Sequence, residues 1–395
     1  NTTTFLRGDG TWATPASGSS GGIWGIANSS GVYTYYATWA LAVAAATSGQ
    51  CIELFADITE NSVSYILKNG VNVNGNGHTI SSTSVLDHFK DNGVAVICDI
   101  SNLIINTTTA SALIMTSISS VITGNCKIIS ASASYDICIV YGQLSGWSIN
   151  GSCNYPIALY GNGILNFINI NTTGANGITI YSSTCKVNNC TVKTSGKGIC
   201  SGAGSYGGSI NNCSVNTNGI AISVETGEIN NCSATSNTLA CIGLGAAGSA
   251  NNCFGKSAAG VAISGTLTSR FNDCTIIAEA NALSSASTNF SNCILWSKID
   301  WVLNSGGGGK IMNCHLISGY NNVSGWVVNE PTSNTYIIDC VLEVANSGAT
   351  AIRSTSTPTL YLSGNTVKGT ANFKSAGIIN GQTNTADSQG NIILN

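Results

Sequence analysis

The residues able to do chemistry are few, and the most numerous of them recur at a spacing. Cys190, Cys213, Cys232, Cys253, Cys274, Cys293, Cys314 and Cys340 each follow Asn or Asp, at steps of 23, 19, 21, 21, 19, 21 and 26 residues. Thiols can pair as disulfides, hold metal or act as nucleophiles. No Cys-x-x-Cys pair occurs, so no zinc site is expected, and neither metal nor cofactor is read from the sequence. The even total of 16 cysteines invites a disulfide framework. However, in-register side chains one repeat apart point in parallel, holding their Cβ atoms near the ~4.8 Å strand spacing, wider than the ~3.8 Å of a disulfide. The expectation is a buried ladder of free thiols packing as small apolar groups, suited to assembly in a reducing cytoplasm.

Charged groups are scarce. Only 8% of the 395 residues are charged, against roughly a quarter in an ordinary domain. A net charge of -3 with 14 Lys and Arg leaves no basic stripe for nucleic acid. The longest apolar run, Ala37 to Thr47, is too short to span a bilayer, so membrane insertion is not expected. The opening residues show no secretory leader pattern.

A repeat near 21 residues is one coil of a stacked-strand solenoid. Two residues after each cysteine stand Val192, Val215, Ala234, Gly255, Ile276, Leu295, Leu316 and Leu342, nearly all apolar. One residue after it the column is mixed. Period-2 alternation therefore turns the cysteine and Val/Leu columns inward and the mixed column outward. A second strand per coil reads as Ala221-Ile222-Ser223, Ala262-Ile263-Ser264, Ala282-Leu283-Ser284, Val302-Leu303-Asn304 and Val327-Val328-Asn329, continued by Ala351-Ile352-Arg353 and Ile378-Ile379-Asn380. Asn before each cysteine suits a sharp turn, because it tolerates the left-handed backbone region and can bond along the stack. Gly-rich stretches supply the other turns, and Ser and Thr are expected on outward faces. The fold predicted is all-β, a right-handed single-stranded parallel β-helix of about 21 residues per coil, with a short helix over 36–48 capping its N-terminal end.

Val71-Asn72-Val73-Asn74-Gly75-Asn76-Gly77-His78-Thr79-Ile80 resembles the opening coils of pectate-lyase-like right-handed parallel β-helix proteins, a resemblance extending over roughly residues 51 to 390. Phe5-Leu6-Arg7-Gly8-Asp9-Gly10-Thr11-Trp12 resembles a segment of bacteriophage tail-fibre and related bacterial fibre proteins. Its Arg-Gly-Asp is too short to be read as an integrin motif. The division expected is a fibre linker at 1–22, an N-terminal cap at 23–50 and the β-helix domain at 51–395. The resemblance implies a homotrimer at the distal end of a tail fibre, or an extracellular, cell-surface protein.

Function is then sought on the outward columns. Ile277, Trp296 and Ile317 stand three residues after their cysteines, and Ile294, His315 and Val341 one residue after theirs. Together they predict an exposed apolar patch, and such patches mark interfaces, here a subunit contact. Trp296 with Lys298, Asp300, Tyr320, Glu330 and Arg353 forms a candidate glycan site, aromatic platform plus hydrogen-bonding groups. Trp301 and Trp326 are expected to pack in the core or at strand edges. Glycoside hydrolysis needs two carboxyls ~5 to ~9.5 Å apart; Asp273, Asp300 and Glu330 are weak catalytic candidates, and the motifs of polygalacturonases are missing. With so few carboxylates, attachment to a cell-surface polysaccharide ranks above a tailspike depolymerase and above a bacterial adhesin or purely structural fibre. No regular Thr-x-Thr column supports ice binding.

Overall fold

A computed structural model describes residues 5–6, 12–13, 22–83, 87–108, 111–131, 135–139, 141–202, 207–265, 268–279, 283–285, 288–299, 302–304, 309–319, 326–329, 335–344, 350–353, 359–369, 372–374, 378–379, 382–383 and 392–394. Strands stack in parallel along one axis into three long sheets. Sheet 1, the strand after each cysteine, runs through 16 strands from Ile58–Thr59 to Ile392–Leu394 among the described residues. Sheet 2 runs through 15, from Tyr65–Ile66 to Asn372–Lys374. Sheet 3 lies just before the cysteines and extends from Cys51–Leu54 to Ile378–Ile379.

The expected β-helix is therefore present, with a third strand per coil beyond the two expected. Its inward residues are Val187, Ile210, Ile229, Ala250, Phe271, Phe290, Ile311 and Ile337, all buried and all three residues before a cysteine. One assignment moves: Ile378–Ile379 pairs with Thr359 and Leu360 in sheet 3 rather than continuing sheet 2, because the chain there reaches the third side of the coil.

The corner between sheets 3 and 1 is built by the Asn-Cys signature. Asn189, Asn212, Asn231, Asn252, Asp273, Asn292, Asn313 and Asp339 all adopt the left-handed region, at φ from 51° to 55°. A β-branched residue there would clash; Asn and Asp accept it at little cost. Gly364 (φ 64°) ends the column. Asn side chains bond from coil to coil as expected, Asn188 Nδ2 to Asn166 Oδ1 at 3.0 Å and on through Asn211, Asn230, Asn251 and Asn272 at 2.8–3.0 Å. A second, outer ladder joins the corner residues themselves, as in Asn252 to Asn231 (2.8 Å).

All 16 cysteines are free, and the signature column is buried. Its thiols do more than fill space. At the left-handed corner the cysteine N–H cannot reach a carbonyl across the coil, and the next sulfur accepts it instead: Cys190 N–H to Cys213 Sγ (3.5 Å), Cys293 to Cys314 and Cys314 to Cys340 (3.4 Å each). Each sulfur also lies 3.1–3.3 Å from the carbonyl two residues back. Where the column ends, Asn365 takes over the acceptor role with an amide. Its Oδ1 accepts from Cys340 N–H (3.0 Å) and its Nδ2 donates to Ile337 O (2.7 Å).

Ser and Thr were expected outside. Many instead line the next corner, where Thr194, Thr217, Ser236, Ser257, Ser297 and Ser318 are buried. Thr217 Oγ1 donates to Gly219 O (2.9 Å) and Ser257 Oγ to Gly260 O (3.0 Å), so these hydroxyls satisfy carbonyls that a tight turn strands from the sheets.

At the N-terminal end, Trp24–Ala27 pairs antiparallel with Cys51–Leu54 on one side and Tyr33–Tyr36 on the other, covering the first edge of sheet 3. The capping helix spans Trp39–Ala45, its first turn closed by Thr38 Oγ1 accepting from Leu41 N–H. Trp39 packs edge-on against Trp24 (centroids 5.1 Å) and Phe89 (5.8 Å), plugging the open end of the core. Lys68 Nζ donates to Val43 O (3.1 Å) and Ala46 O (2.6 Å), a cation on the helix C-terminus where the dipole favours it.

Candidate functional site

Register in sheet 1 decides which outward side chains meet. Ile277 pairs with Trp296 and Trp296 with Ile317; Thr275 pairs with Ile294, Ile294 with His315 and His315 with Val341. The six residues predicted as an interface thus form two adjacent columns on four successive strands. Ile294 is 44% exposed and Trp296 37%, whereas the inward residues between them, Ile276, Leu295 and Leu316, are fully buried. Alternation along the strand is what separates the two sets.

Charges border this apolar ladder. Glu279 Oε1 bridges Lys256 Nζ (2.9 Å) and Lys298 Nζ (2.8 Å), and Lys298 Nζ lies 5.6 Å from the centre of the Trp296 ring. The Lys298 and Lys256 ammonium groups hold the Glu279 carboxyl below its ordinary range. On the other side His315 Nε2 meets Glu343 Oε2 at 3.0 Å. Trp296 and Lys298, two members of the candidate glycan site, are therefore brought together.

The remaining candidates divide. Asp300, Tyr320, Glu330 and Trp301 lie outside the described residues, and the Trp326 side chain does also. Arg353 ends the strand Thr350–Arg353, in sheet 2 rather than sheet 1. Asp273 occupies a left-handed corner where neighbouring coils place Asn, and its Oδ1 accepts from Asn292 Nδ2 (3.1 Å). The turn explains its presence. His78, in the segment resembling an opening coil, faces Asp57 Oδ1 at 3.2 Å.

Three buried ionisable groups escaped the sequence reading. Asp136 is fully buried, accepts from Ser130 Oγ (2.6 Å), and burial pushes its carboxyl up to about 6 despite that bond. His88 is buried as well, and burial lowers its imidazole to about 4, so it is neutral. Asp91 shows the opposite balance: burial would raise it, but bonds from Ser117 N–H, Thr116 and Ser120 outweigh this and hold the carboxyl below its ordinary range. The position before the inward apolar residue of sheet 2 holds Ala or Gly in many coils, and an acid or His there is the signal that was available.

Among the described residues no group of three or more His, Cys, Asp or Glu is arranged to hold a metal ion, and no helix is long and apolar enough to cross a membrane.

No protein-family model matches the chain, and no curated protein does. Among solved structures, it is similar to a chain of the Vag8–C1 inhibitor complex, at 14% identity over 86% of this chain and 99% of that one, with a TM-score of 0.49. It is also similar to the tailspike protein gp49 of Pseudomonas phage LKA1, at 11% identity over 85% of this chain and 71% of that one, with a TM-score of 0.36. Neither likeness decides a function. The fold rests on the strand pairing above, and function has to be argued from the side chains.

Proposed function

We propose that this chain is the distal attachment domain of a trimeric fibre of the phage-tail type, displayed on a virion or cell surface and binding a cell-surface glycan. The observation that carries the reading is the contiguous apolar ladder of Ile277, Ile294, Trp296, Ile317 and Val341 on the outside of a solenoid whose other outward columns are largely polar. Leaving such a patch in water is unfavourable by roughly 25 cal/mol per Å² of apolar area, which lateral packing of identical chains removes. Sugar rings stacking on Trp296 beside Lys298 are the second use of the same face.

Attachment is preferred to cleavage on the state of the carboxyls. A glycosidase acid must be protonated near neutrality. Among the described carboxyls, the one pushed up toward that range is Asp136, sealed inside the coil away from any polymer. Glu279, beside the patch, is held ionised by two lysines. Of the carboxyls expected to serve a depolymerase, Asp273 is taken up by its corner and Asp300 and Glu330 lie outside the described residues; new reducing ends on incubation with host polysaccharide would reveal such an enzyme.

Native mass spectrometry tests the assembly. The wild-type chain is expected as a trimer and Trp296→Asp as monomers, because a charge buried in that contact is costly. A trimer that persists unchanged in Trp296→Asp overturns the ladder as the interface. A glycan array probed with the trimer tests attachment, and failure to bind any surface polysaccharide counts against it.

A further inference from the structure

A different face carries cations that no carboxylate among the described residues pairs. The outward column of sheet 3 reads Ser209, Glu228, Ser249, Arg270, Asn289, Lys310, Tyr336 and Tyr361 in successive coils. After Glu228 it holds no acidic residue, and from Arg270 onward it is cation, amide, cation, phenol, phenol. Arg270 and Lys310 are exposed, and among the described residues neither meets a carboxylate, whereas Lys256 and Lys298 on sheet 1 share Glu279. An open groove of about 390 Å³ lies along this stripe, lined by Arg270, Asn272, Asn289, Ser291, Lys310 and Met312 among others.

The groups are held in place. Asn289 Oδ1 accepts from the Lys310 backbone N–H (3.1 Å), which leaves its Nδ2 as a donor. Lys310 Nζ sits 5.6 Å from the centre of the Tyr336 ring, and that ring stacks on Tyr361 at 4.4 Å and 7°. A cation against an aromatic face loses little freedom when it then meets an anion.

We infer that this stripe binds an acidic polysaccharide whose carboxylates recur on alternate sugars. The inference rests on the attachment reading but assigns it a separate face and a ligand class. Spacing selects the ligand. Arg270 and Lys310 are two strands apart, roughly 10 Å, and the stripe from Arg270 to Tyr361 extends roughly 19 Å. A nucleic-acid strand offers a phosphate every ~3.4 Å, far denser than one cation per two coils can match. A chain of sugars with one carboxylate per two-sugar repeat fits instead: carboxylates on Arg270 and Lys310, the intervening hydroxyls on Asn289, and the following sugars beside the Tyr336 and Tyr361 phenols, which can donate to them.

Calorimetric titration of the full chain with hyaluronate oligosaccharides, which carry one carboxylate per two sugars, and with neutral dextran oligosaccharides of equal length tests this. Hyaluronate is expected to bind and dextran much more weakly, with affinity falling as ionic strength rises. Arg270→Ala and Lys310→Ala should each weaken hyaluronate binding roughly tenfold, the scale of one charge-assisted hydrogen bond. Lys186→Ala, on a distant coil of the same sheet, should leave binding unchanged, and a preserved circular dichroism spectrum should show each variant folded. Equal binding of dextran and hyaluronate, or hyaluronate binding indifferent to both substitutions, overturns the inference while attachment stands. If neither probe binds, the inference falls, and the glycan array separately decides attachment.

Discussion

At the scale of single residues, the thiols show how chemistry is suppressed by position. Burial pushes Cys98 and Cys241 up to about 12, and even half-buried Cys51 is raised to about 11 by burial and the nearby Glu53 carboxylate. Thiolate is the reacting form, so these sulfurs are inert at neutral pH. Titration with a thiol reagent in denaturant should find close to all 16 cysteines free. In native protein the reaction should be slow, with the half-buried Cys51 and Cys138 modified first. A denatured count near zero would refute the free-thiol ladder. Asp136 gives a pH prediction. Its carboxyl is raised in the folded chain to about 6, above its unfolded value, so the folded state binds the extra proton. Its contribution is favourable below the unfolded value and is lost as pH rises through about 6. Asp136→Asn should therefore raise the melting temperature at pH 8 by more than at pH 5, removing up to about 3 kcal/mol of penalty. Equal gains at both values would mean the carboxyl is not held protonated. Neutral His88 works in the opposite sense, its contribution present above the ordinary imidazole range and lost as pH falls toward about 4.

At the scale of the coil, the corner is the element that specifies the path. Asn252 sits at φ 51° and bonds Asn231 through its side chain. Asn252→Val should cost roughly 1–2 kcal/mol for the left-handed backbone alone, with the lost side-chain bond in addition. Asn252→Gly should recover most of the backbone part, and chemical denaturation of the two variants measures the difference. If Val and Gly destabilise equally, the backbone conformation is not what the column conserves from coil to coil. The Asn-Asn-Cys signature announced this corner, since only a residue tolerant of positive φ recurs before a buried cysteine. It did not announce the sulfur acceptors. Nothing in residue type says that a thiol in one coil will face the N–H of the previous one, because that proximity arises from stacking.

At the scale of the whole molecule, a solenoid has ends and faces, and both need covering. Trp39 closes the N-terminal end against Trp24, Tyr65 and Phe89. Trp39→Ala should cost about 3–5 kcal/mol and favour edge-to-edge aggregation on heating, read by light scattering. A variant that unfolds reversibly at the wild-type temperature would show that the plug is dispensable. The faces differ in purpose: sheet 1 carries the apolar ladder proposed for lateral packing, and sheet 3 the cationic stripe proposed for sugar.

Much of this was legible in the residues alone. The period of the cysteines, the inward Val and Leu column and the positive-φ Asn each follow from local rules of alternation and backbone sterics, so coil length, the first two sheets and the apolar ladder could be read directly. The outward column of sheet 3, where Arg270, Asn289, Lys310 and Tyr336 each stand four residues before a cysteine, follows the same count, but residue type alone did not show that these short segments are strands of a third sheet; their pairing across coils does. The burial of Ser and Thr at the second corner was hidden for a related reason: hydroxyls turn inward only where folded turns leave carbonyls without partners.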